Sequence, residues 1–142
     1  MIRLLESQQR YTLDDFKLTR SKDTETEGEP VTLKWWNGKE LVGEVLVDTV
    51  PAIDGYRWFG TFEVNPNYRG HGLGTQILRY IMDKYKAGAL GVHTDNEIAL
   101  GLYKKMGFKI KGDTYTQDDG DYYRMYYKPN FDKSAIKERN ML

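Results

Sequence analysis

The chain has no cysteine. That removes a disulfide framework and a thiol nucleophile together. It carries no net charge, with 21 basic and 21 acidic residues. No overall field therefore favours nucleic acid or an anionic membrane. No apolar run approaches the roughly 18 residues of a membrane helix. The opening Met1-Ile2-Arg3-Leu4-Leu5-Glu6-Ser7 is too polar for a signal peptide. A cytoplasmic location is the default expectation. His71 and His93 have no carboxylate or second histidine at ligand spacing, so no metal is expected. Internal repeats and low-complexity segments are absent too. What is left is 142 residues, 39% hydrophobic and 30% charged, an ordinary balance for one globular domain that buries a core.

What the chain does have is a crowd of glycines at one place. A strand-like run ends at Pro66, and Arg69, Gly70, Gly72 and Gly74 then open directly into a helix. Leu73, Ile77, Leu78, Ile81, Met82 and Tyr85 fall on one face of a repeat of about 3.6 residues. A helix entered through glycines leaves its first N–H groups free, with the positive end of the helix dipole behind them. Such a terminus binds anions, phosphate above all. No Lys follows Gly74, so this is not a P-loop. Glycines at 70, 72 and 74 with Thr75 beyond do not fit the dinucleotide fingerprint either. Downstream, Asn96, Ala99, Leu102, Tyr103, Gly107 and Phe108 mark a second short helix. Thr94 and Glu97 suit a capping box at its start, and Gly107 a left-handed cap at its end.

The first motif, Val64-x-Pro66 followed by Arg69-x-x-Gly72-x-Gly74, resembles the pyrophosphate loop of the GNAT N-acetyltransferase superfamily. The second is similar to that superfamily's N-x-x-A-x-x-L-Y-x-x-x-G-F at every defined position. The resemblance implies an α+β fold of three-layer type. Its mixed, mostly antiparallel twisted sheet has flanking helices and a β-bulge or splay at the acetyl-CoA site. It implies acetyl-CoA as co-substrate, without metal, and an amine as acceptor. It implies that Arg69, Gly70, His71, Gly72, Leu73, Gly74 and Thr75 hold the pyrophosphate through backbone N–H groups. Phe62 and Val64 then meet the pantetheine arm as an added strand would, a backbone N–H near Val64 polarises the thioester carbonyl, and Asn96 contacts the arm. Tyr103 stands beside the sulfur and donates to the leaving thiolate. From the residues alone, Tyr103 is equally a core residue, Asn96 a first-turn cap, and Arg69 a solvated loop side chain.

The rest of the chain is read as one domain, 1–142. It has a variable part at 1–30, the acetyl-CoA core at 56–108 and a tail at 129–142. Ile2 to Leu5 suggests a short strand. Tyr11, Leu13, Phe16 and Leu18 fit helix or strand, and Ser21 to Pro30 is a polar loop. Val31 to Trp36, the Asn37-Gly38 turn signal and Leu41 to Val47 form a hairpin. Pro51 to Gly55 connects to a strand from Tyr56 to Val64. Ala89 to His93 is a short buried strand. Phe108 to Lys111 and Tyr122 to Lys128 are strands flanking an Asp118-Asp119-Gly120 turn, like the long C-terminal hairpin of the superfamily. Asp132 to Leu142 favours a short helix. Strand–helix–strand order after antiparallel hairpins suggests a mixed sheet with helices on it.

Two parts of the superfamily's pattern are missing. Its members place one or two helices between the first two strands, to shape the acceptor site, and there is hardly room here for one. Many also carry a carboxylate on the strand before the glycine loop, whereas Trp58, Gly60 and Thr61 stand there. Glu63 is the only acid nearby, and strand alternation turns it away from the face of Phe62 and Val64. A water chain, His93, Asp54 or an amine deprotonated by burial are the remaining ways to supply a base. Trp35, Trp36 and Trp58 line a groove or cover the sheet. Asp113, Asp118, Asp119 and Asp121 attract a cationic amine or are simply solvated. The acceptor is a small-molecule or protein amine, with nucleic acid disfavoured, no membrane, and a monomer or homodimer expected. The alternatives are a GNAT-fold module that binds acetyl-CoA or a partner without catalysis, and a modifier of a protein- or tRNA-borne amine.

Overall fold

A computed structural model describes residues 10–21, 30–53 and 55–127. The expected Ile2–Leu5 strand, most of the 21–30 loop, Asp54 and the 132–142 helix lie outside them. The strands are β1 (Lys17–Arg20), β2 (Val31–Asn37), β3 (Glu40–Ile53), β4 (Tyr56–Val64), β5 (Ala87–His93), β6 (Phe108–Ile110), β7 (Tyr115–Gln117) and β8 (Gly120–Tyr127). The helices are α1 (Leu73–Tyr85) and α2 (Glu97–Lys105). The sheet runs β1-β2-β3-β4-β5-β8-β6, with β7 also on β8. Among the described strands only β4–β5 pairs in parallel, because α1 crosses between them. This is the mixed, mostly antiparallel α+β architecture that the sequence implies.

The ambiguous Tyr11–Leu18 stretch resolves into a 3₁₀ turn over Leu13–Asp15 and then β1. Asp15 accepts from the Thr12 N–H at 2.8 Å, which fixes the turn. The β2–β3 hairpin turns on Gly38-Lys39, one residue beyond the expected pair, with Gly38 at φ 61°. A glycine first in a two-residue loop matches the twist of the strands. Strand β3 runs through the expected Pro51–Gly55 connection to Ile53. It does so with register shifts on both sides of Pro51, which spare the ladder the N–H that proline lacks. The Thr94–Glu97 capping box does not form. Thr94 and Asp95 sit in a turn closed by Asn96 N–H to the His93 carbonyl (3.0 Å), and Asn96 caps α2.

Alternation sorts the sheet into two faces. Val31, Leu33, Trp35, Val45, Val47, Phe59 and Leu90 lie under α1 and α2, buried with Leu73, Ile77, Leu78 and Ile81. Apolar burial of this kind contributes about 25 cal/mol per Å² removed from water. Lys34, Trp36, Glu44, Trp58, Glu63, His93 and Tyr122 lie on the other face. Among the described residues no helix covers it, so two of the three expected layers are described.

Candidate active site

The site begins where β4 and β5 part. Their pairing holds at Arg57, Trp58 and Phe59 and goes no further. On its other edge β4 carries a bulge. Between the Leu46–Gly60 and Glu44–Glu63 pairs, β4 has one residue more than β3. Thr61 absorbs it at φ 45°, a left-handed conformation that a β-branched residue adopts only when its surroundings enforce it. The expected splay is therefore present, and Thr61 and Phe62 have no bridged partner in either neighbouring strand.

The loop after β4 is held in place by side chains. Asn65 accepts from the Asn67 N–H (2.9 Å) and donates to the Leu41 carbonyl (2.8 Å). Buried Tyr68 donates to Glu40 (2.6 Å) and accepts from Asn37 (2.8 Å). The bond to Glu40 raises the Tyr68 pKa. Gly70 and Gly72 have φ 86° and 75°, and a Cβ on either would meet open space. Gly72 caps α1 with no side-chain bond, and the first N–H donated back along the chain is that of Gln76, to the Gly72 carbonyl at 3.1 Å. The helix start at Leu73, Gly74 and Thr75 is thus presented as the glycine pattern implies. Gly74 lies against Leu102, Phe62 and Val64, 3.7–3.9 Å from where its Cβ would be.

The remaining predicted residues fall as follows. Arg69 Nε donates to the Val64 carbonyl at 3.1 Å, so that carbonyl is already engaged. His71 does more than present its backbone. Its Nδ1 accepts from the Tyr11 N–H at 3.4 Å, and its ring packs on Tyr11 at 4.9 Å. Gln76 ties the same N-terminal segment through Leu13 and Tyr11; no sequence signal marks that link. Asn96 accepts from the Ala99 N–H at 3.1 Å, the capping role. Tyr103 is 7% exposed, set among Phe59, Phe62 and Phe108, and burial pushes its phenol up to about 12. No hydrogen bond to its hydroxyl occurs among the described residues, so the phenol is left to be satisfied by whatever fills the cavities beside it, water included.

Two adjoining cavities meet at Tyr103. One of about 430 Å³ is lined by Phe62, Val64, Arg69, Gly74, Asn96 and Tyr103. The other, about 330 Å³, continues past Thr61, Gly91, His93 and Tyr122. His93 is held at both nitrogens, by the Asp119 carbonyl at Nε2 (2.9 Å) and the Asp95 N–H at Nδ1 (3.1 Å), which argues against it as a base. The acidic hairpin is also internally engaged. Asp119 accepts from Tyr122 (2.7 Å) and Asp121 from Thr116 (2.8 Å). Of the tryptophans, Trp35 is core, Trp36 donates to Thr19 at 2.8 Å, and Trp58 packs edge-on against Tyr126. No helix among the described residues is long and apolar enough to cross a membrane.

The comparisons agree with this geometry. N-alpha-acetyltransferase RimI of Mycobacterium tuberculosis is 38% identical over 76 residues, 43% of this chain. The match spans 48% of RimI, about half of that relative's length. Arabidopsis thaliana Naa50, solved with the bisubstrate analogue CoA-Ac-MVNAL, is 28% identical with a TM-score of 0.56, covering 68% of this chain and 72% of that one. A GNAT-family structure from Bacteroides thetaiotaomicron shares the fold at 20% identity and a TM-score of 0.60, over 81% of this chain and 71% of that one. The model of the acetyltransferase (GNAT) family matches residues 1–108, and with the parted strands, the glycine-led helix and the Asn96–Phe108 motif in place, the chain belongs to that family.

Proposed function

We propose that this chain moves an acetyl group from acetyl-CoA to an amine of a small molecule or protein. The observation that carries the reading is Tyr103, a buried phenol with no described hydrogen-bond partner, at the join of the two cavities. Acetyl-CoA supplies the activated acyl group as a thioester. The residues present fit it. Gly70 and Gly72 leave room for an anion at the loop, and Gly74 leaves the cleft floor clear. The N–H groups from Gly70 to Thr75 hold the pyrophosphate, Asn96 and the unbridged backbone around Phe62 hold the arm, and an N–H near Val64 polarises the carbonyl. The acceptor nitrogen bonds to the carbonyl carbon as the carbon–sulfur bond breaks. Tyr103, which keeps its proton at neutral pH, donates it toward the departing sulfur, the amine gives its own proton to water, and water returns one to the Tyr103 phenolate.

The test is isothermal titration with acetyl-CoA, followed by thiol release with a panel of amines. Binding and amine-dependent release are expected. The lack of a carboxylate at Trp58, Gly60 and Thr61 favours a second reading, binding of acetyl-CoA without turnover. Titration heat with no release by any amine would select it.

A further inference from the structure

The β4 bulge decides which side of the sheet a carboxylate reaches. Counting from Phe59, regular alternation would put Glu63 beneath the helices. The extra residue at Thr61 reverses this. Phe62 and Val64 turn toward α1 and α2, and Glu63 comes to the open face directly opposite Glu44. Like charges facing each other across a strand pair repel. Lys34 Nζ, 4.0 Å away, offsets Glu44, but no ion pair serves Glu63 among the described residues. Arg69 lines the same cavity as both glutamates, with its Nε held on Val64. Glu63 also lines both cavities that meet at Tyr103. Glu63 and the unpartnered phenol of Tyr103 therefore line the same two cavities, which open where β4 and β5 part. They ask for a ligand with cationic and hydrogen-bonding ends.

Resting on the acetyl-transfer reading, we infer that the acceptor is a small diamine or polyamine, whose non-reacting ammonium is held by Glu63, with Glu44 behind it, while its reacting amine enters the cleft at Tyr103. Glu63 is then a specificity-determining residue, and the open sheet face is the acceptor's side.

The probes are putrescine and butylamine, which differ in one terminal charge. Each is titrated into the full chain, free and loaded with CoA, and each is assayed for thiol release with acetyl-CoA. Putrescine is expected to bind at least about tenfold more tightly than butylamine and to be used with at least about tenfold higher kcat/KM. Glu63→Gln should bring both ratios to about twofold or less while the acetyl-CoA Kd stays within about twofold. Equal handling of the two amines by the wild type overturns the inference. So does a preference that survives in Glu63→Gln and in the Glu44→Gln/Glu63→Gln double variant. Failure of acetyl-CoA to bind would overturn the transfer reading instead, and putrescine affinity for the free chain would still decide the role of the carboxylates. Glu63 is exposed, so the variants are expected to fold, and a circular dichroism melt checks it.

Discussion

At the scale of single residues, Tyr103 and Gly74 separate chemistry from packing. Tyr103→Phe removes one hydroxyl that bonds to no described group. If it serves the leaving group, turnover falls by roughly 10²- to 10⁴-fold with little change in the acetyl-CoA KM. A turnover within about twofold of wild type removes the acid role. The same residue sets an alkaline limit. Its phenol titrates at about 12 when folded and at 10.0 ordinarily. The unfolded chain therefore loses that proton first, and stability that is complete below pH 10 declines as the pH rises toward 12. Tyr103→Phe should flatten this part of a stability–pH curve, as measured by urea unfolding. Gly74 gives a cleaner test of the loop than Gly72, whose φ of 75° strains any replacement. A Cβ at Gly74 makes only ordinary contacts and improves helix propensity by up to about 1 kcal/mol. It nevertheless protrudes into the cleft. Gly74→Ala should stay folded and bind acetyl-CoA at least about tenfold more weakly, about 1.4 kcal/mol by titration.

At the scale of elements, the position of α1 depends on a glycine in the strand beneath it. A Cβ on Gly43 would lie 2.9 Å from Ile77 Cδ1 and 3.3 Å from the Glu63 carbonyl. Gly43→Val should cost about 1–3 kcal/mol through overpacking, seen as a lower midpoint in thermal unfolding. It should weaken acetyl-CoA binding as well, because Val64 and the bulge share the contact. Periodicity made α1 legible in the sequence, from Leu73 to Tyr85. β4 was legible from Tyr56 to Val64 because the glycine loop ends it. The bulge was not, since Thr61 gives no local sign of a left-handed conformation. The capping of α2 was legible only as two alternatives, the Thr94–Glu97 box and Asn96, of which Asn96 forms. Thr94 and Asn96 are both good caps, and only the turn closed on His93 chooses between them.

At the scale of the whole molecule, the two motifs made the family legible, while the acceptor side was not. Glu44 sits 19 positions from Glu63 in the chain, and only the shifted register brings the two together. Tyr11 meets His71 across 60 positions for the same kind of reason, since tertiary packing leaves no periodic trace. The parting of β4 from β5 also bears on how the backbone exchanges hydrogen with water. Amides that face the gap have no ladder partner to protect them, so they should exchange through small local openings and not through global unfolding. Acetyl-CoA lying along the gap would act as the missing strand. Hydrogen-exchange mass spectrometry should then show slowing in peptides covering 59–65, with little change in 31–37. Equal slowing across both would mean uniform stabilisation by a ligand bound elsewhere. Local slowing would mean that the sheet of this protein is completed only when its co-substrate arrives.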